Sequence, residues 1–134
     1  MNQPAFKMPE LDDEAVDALF YVASMAYNAG KFENAFKIYR SASIARPADS
    51  RAVVGMGVSL YASGQTTEAE AAYRQALALN TKDQEAHLYL GELIWNERKD
   101  STAAEKHLTT AFRIHPQNRI GERARYILSA IKSK

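Results

Sequence analysis

The side chains that could do chemistry in this chain are three histidines, His87, His107 and His115, a set of serines, and 16 carboxylates. A helical metal site needs histidines about one turn apart, as in HxxxH or HExxH, or cysteines to complete the ligand set. None of the three histidines has such a partner, and the chain has no cysteine. The spacing therefore supplies no metal ligands, and no metal or cofactor is expected. Ser24, Ser41 and Ser59 lack a G-x-S-x-G elbow, so no activated nucleophile is visible. Gly55-Met56-Gly57 is not a phosphate-cradling loop, because its surroundings read as the middle of a helix. The pair Asp12–Asp13 reads as a helix start and not as an acid/base couple. No catalytic residue is assigned, and the chain is read as a non-enzyme.

The chemistry, then, has to be that of a surface, and composition bounds what kind. With 134 residues, 46% apolar and 25% charged, the chain fits one globular domain with one continuous core. A net charge of +1 gives no general electrostatic case for nucleic acid. The absence of cysteine fits a reducing compartment. The N-terminus has neither a basic start nor an apolar run, so no leader and no membrane span are expected, and the cytoplasm is the expected location. Charge is uneven: residues 1–17 carry one lysine against five acids, whereas residues 113–134 carry six Lys/Arg against Glu122. Two readings stay open. The charges complement helix dipoles and solubilise a terminal cap, or Arg119, Arg123 and Arg125 form a basic partner face.

Self-comparison gives a period of 34 residues, with repeats at 16–49, 50–83 and 84–117 and one inserted residue near Lys99–Asp100. Ala23, Gly57 and Gly91 recur where two helices of a hairpin would approach most closely, with Ala35, Ala69 and Ala104 opposite. Ala42, Ala76 and Ala111 recur where each second helix would meet the next repeat. Gly30 and Gly64 fall between helices, where a positive φ ends the first one, and Pro47 and Pro116 close second helices. Helix starts are expected at Asp12 or Asp13, at Asp49 or Ser50, and at Asp83, with capping boxes at Thr67–Glu70 and Thr102–Glu105. A final helix over 118–132 would put Ile120, Ala124, Ile127, Leu128 and Ile131 on one side. Seven helices result. Residues 1–11 are expected to be an extension without regular structure, and 12–134 a single domain.

This pattern resembles the tetratricopeptide family over residues 16–117. The resemblance implies an all-α, three-repeat superhelical array of helix hairpins closed by a C-terminal capping helix. It also implies a concave groove lined by the second, fifth, ninth, twelfth and thirteenth positions of each repeat. From that set the expected peptide-binding residues are Phe20, Ser24, Tyr27, Val54, Val58, Tyr61, Leu88, Glu92 and Trp95. Two apolar ladders follow, Phe20–Val54–Leu88 and Tyr27–Tyr61–Trp95, each stepping by 34 residues. Open apolar side chains on a concave face call for an extended peptide with apolar anchors. Packing of the three aromatics inward between helices is the other reading. A clamp for the acidic terminus of Hsp70 or Hsp90, which resembles this fold, needs lysine and asparagine where Phe20 and Ser24 stand, and is excluded.

The stretch Gly30 to Tyr39 (GKFENAFKIY), with D-S-R-x-x-x-G-x-G from Asp49 to Gly57, looks like the class II chaperones of bacterial type III secretion. That resemblance implies a cytoplasmic protein holding an extended apolar segment of a translocator client, and leaves room for a homodimer. An adaptor in a pilus, envelope or signalling assembly, or a cochaperone for needle subunits, are the competing readings.

Overall fold

In the computed structural model, residues 11–133 are described, and the expected extension at 1–11 lies outside them apart from Leu11. Among the described residues seven helices follow one another: α1 (Asp13–Asn28), α2 (Phe32–Ala45), α3 (Ser50–Ala62), α4 (Thr66–Leu79), α5 (Gln84–Arg98), α6 (Ser101–Ile114) and α7 (Arg119–Lys132). Each packs on the next, and α5 also touches α3 and α7. The first helices α3 and α5, and then α7, therefore lie side by side along one face.

Local chemistry explains most boundaries. Asp12, Asp49, Asp83, Asp100 and Asn118 each accept a hydrogen bond from a backbone N–H in the first turn of the helix that follows, which satisfies donors the helix leaves unpaired. Gly30 and Gly64 sit at φ +79° and +86°, and their N–H groups bond back to Tyr27 O and Tyr61 O. The third hairpin has no glycine there; Lys99 takes the left-handed conformation instead, φ 53°, with its ammonium 5.0 Å from the centroid of the Trp95 ring.

Two local expectations change. Thr67 is not a cap: α4 starts at Thr66, after Gln65, with no side-chain cap bond. Thr102 is likewise inside α6, whose cap is Asp100. A carboxylate already in place at Asp100 leaves the threonine nothing to do. The extra residue of repeat three lengthens its first helix: α5 has 15 residues against 13 in α3.

The small-residue positions do pack closely. Ala23, Ala35, Ala42, Ala69, Ala76, Ala104 and Ala111 are all buried. A methyl group on Gly57 would come within 2.5 Å of the Tyr73 ring, and one on Gly91 within 2.7 Å of Leu108. The main core gathers Leu88, Leu90, Leu93, Ile94 and Leu108 between α5 and α6, then runs to Ala124 and Ile131 on α7. Ile120, Ile127 and Leu128 pack against its edge. Among the described residues no helix is long and apolar enough to cross a membrane.

Candidate functional site

The first helices and α7 leave two concavities, of about 520 and 690 Å³. Phe20, Ser24, Asn28, Arg51, Val54 and Glu85 line the smaller one, with Tyr39 from α2. Tyr61, Leu88, Glu92, Asn96, Ile120 and Arg123 line the larger, with Tyr73 from α4. Tyr27, Val58, Tyr89 and Arg119 belong to both. The two hollows are thus one groove that crosses α1, α3, α5 and α7.

The nine residues expected to line a groove separate into three groups. Phe20, Ser24, Tyr27, Val58, Tyr61 and Glu92 come together on its walls. Val54 and Leu88 lie beneath it, 3% and 0% exposed, so the ladder that begins at Phe20 sinks into the core as repeats gain neighbours on both sides. Trp95 lines neither hollow: it packs against the main core under Lys99. The Tyr27 ring packs on Phe32, 5.2 Å between centroids, and the Tyr61 hydroxyl donates to Glu97 at 3.0 Å.

Charges of both signs ring the apolar floor. Arg51 lies 4.9 Å from the centroid of the Phe20 ring and forms a two-point pair with Asp49, with N–O distances of 3.0 and 2.7 Å. That hydrogen-bonded guanidinium holds the Asp49 carboxyl below its usual range. Glu92 is paired with Arg123 across the groove from α5 to α7. Crowding by the groove walls, helped by Asp83, pushes the Glu85 carboxyl up. Among the described residues Arg119 makes no ion pair. Burial raises Tyr89 to about 12 and Tyr73 further still, so both hydroxyls stay protonated at neutral pH as donors for a carbonyl. The arrangement can hold a backbone and apolar side chains; it offers no nucleophile next to a base.

Residues 54–119 match the family model described as tetratricopeptide repeat. The chain is similar in structure to the Yersinia enterocolitica type III secretion chaperone SycD in complex with a peptide of the translocator YopD. The TM-score is 0.76 at 23% identity, covering 93% of this chain and 98% of that one. PcrH from Pseudomonas aeruginosa gives 0.77 at 20% identity, over 91% of this chain and 95% of that one. The chain folds as a three-repeat tetratricopeptide array. A third array, the first TPR of Spaghetti (RPAP3) bound to an HSP90 peptide, gives 0.77 at 19% identity over 92% of this chain and 95% of that one. No curated protein matches the sequence.

Position counting within tetratricopeptide repeats missed part of the groove. Tyr39 and Tyr73 reach it from second helices, and they stand 34 residues apart, so the period itself carried the signal. Tyr89, which stacks near Tyr73 at 6.0 Å between centroids, faces the groove from the sixth place of its repeat, outside the five positions counted. Arg119, Ile120 and Arg123 come from α7, which has no repeat number. Two of the three arginines of the suspected basic face thereby line the groove, and Arg125 does not. The structure also joins His87 to His107, Nδ1 to Nδ1 at 3.2 Å, across α5 and α6. Their separation of 20 residues gave no hint of it.

Proposed function

We propose that the chain is a non-enzymatic chaperone of type III secretion that holds an extended, apolar segment of a translocator subunit in this groove, in the cytoplasm. The observation that carries the reading is the continuity of the two hollows through Tyr27, Val58, Tyr89 and Arg119. A single strand laid across four helices puts successive apolar anchors into both. Each well-buried anchor contributes about 1.5–3 kcal/mol, and two or three give roughly micromolar affinity after the cost of ordering the peptide. The tyrosine hydroxyls and Arg119 supply donors for its carbonyls. The similarity to SycD holding a YopD peptide supports a translocator segment as the client. The proposed contact residues are Phe20, Ser24, Tyr27, Val58, Tyr61, Glu92, Tyr89 and Arg119, over a floor of Val54 and Leu88.

Co-expression with candidate translocators tests the assignment. The client is expected to copurify with the wild-type chain and to aggregate when Val58→Asp, placed in the middle of the groove, is expressed instead. A client that stays soluble without the chain, or that copurifies equally with a folded Val58→Asp variant, overturns it.

A further inference from the structure

His87 and His107 face each other in a geometry that the peptide-holding role does not use. His87 Nε2 lies 2.8 Å from the Thr81 carbonyl oxygen. A carbonyl oxygen only accepts, so Nε2 carries the proton and the neutral ring turns the lone pair of Nδ1 toward His107. Nδ1 of His107 stands 3.2 Å away and donates its proton to that lone pair. We propose that these two Nδ1 atoms form a chelate for a late first-row divalent cation, Ni2+, Cu2+ or Zn2+.

Distance favours it. Metal–imidazole bonds are about 2.0–2.1 Å long, and two of them spanning 3.2 Å enclose roughly 100° at the metal, between the square and tetrahedral angles. His87 is supported in the usual way, its other ring N–H held by the Thr81 carbonyl, and a small turn of the two rings, whose centroids lie 5.4 Å apart, brings the facing Nδ1 lone pairs onto one ion. Binding moves the His107 proton from Nδ1 to Nε2, so both rings stay neutral and no proton is lost. Water completes the coordination.

Arg74 and Lys106 lie near the His107 ring. The same two cations oppose an added positive charge, although Arg74 is already paired with Glu70 at 2.9 Å. The affinity they leave is modest, and the site is open to exchange.

Calorimetric titration of the untagged full chain with Ni2+ alone, repeated with Zn2+, tests the site. One ion per chain is expected. His87→Ala and His107→Gln should each weaken binding roughly tenfold or more, with helicity by circular dichroism retained, while His115→Ala leaves it unchanged. Absence of binding by the folded wild-type chain, or equal binding by the folded His87→Ala/His107→Gln double variant, overturns the proposal and leaves the pair as a hydrogen bond between two helices.

Discussion

Ser50 donates a hydrogen bond of 2.6 Å to Asp83, from the first residue of α3 to the cap of α5. Both residues are buried. One repeat later the same contact recurs between Gln84, the first residue of α5, and Asn118, the cap of α7, at 2.7 Å. Each cap thus fixes the start of its own helix and the angle to the preceding first helix, which sets the spacing of the groove walls. Asp83→Ala removes the cap and strands the Ser50 hydroxyl, so a loss of about 1–3 kcal/mol is expected. Asp83→Asn should recover most of it. Urea unfolding of the two variants checks the ordering.

Phe20 and Tyr27 sit half-exposed on the groove wall, and truncating either leaves the core untouched. Phe20→Ala and Tyr27→Ala should each weaken client-peptide binding about tenfold, equivalent to about 1.4 kcal/mol, with little change in thermal midpoint. Leu88→Ala is the contrast. With 0% exposure it should cost about 2–5 kcal/mol of stability. Calorimetric binding beside thermal unfolding separates groove from floor.

Gly57 leaves no room for a side chain. Its added methyl would meet the Tyr73 ring at 2.5 Å and Ala72 at 3.3 Å, so Gly57→Ala should destabilise by about 1–3 kcal/mol. The double variant Gly57→Ala/Tyr73→Leu should recover part of that loss. A fully additive pair of effects in denaturant unfolding would contradict the close approach.

Gly64 and Lys99 turn equivalent corners with left-handed backbone, φ +86° and 53°. Gly64→Ala has open space around the new methyl, yet should cost about 1 kcal/mol for conformation alone. Lys99→Gly removes a comparable strain but also the contact with Trp95, so its stability should stay within about 0.5 kcal/mol of wild type. Unfolding midpoints of the pair measure the asymmetry.

Acid should loosen the third hairpin. His107 titrates at about 4 in the folded chain against an ordinary 6.5, so between those values the unfolded chain binds the extra proton and stability falls as pH falls. The loss begins near pH 6.5 and is complete below about 4. His107→Gln should flatten that part of the stability–pH curve, measured by denaturant unfolding between pH 7 and 4. An unchanged slope would show that the ring titrates normally.

The 34-residue period was enough for six helices, the turns at Gly30 and Gly64 and the buried alanines; helical spacing gave the seventh helix, and residue type narrowed the helix starts to Asp12 or Asp13, Asp49 or Ser50, and Asp83. These are short-range matters: a cap, a positive φ or a methyl-sized contact is settled by residues near in sequence and by a repeat that returns each one to the same surroundings. Which side chains stay open was decided only by the tertiary structure. Phe20, Val54 and Leu88 hold the same place in their repeats, yet exposure falls from half-open to 3% and 0%, because a terminal repeat has one neighbour and an inner one has two. The walls supplied by α7 and the meeting of His87 with His107 depend in the same way on how helices stack. The period fixes an address within a repeat, and burial depends on what packs against that address from both sides.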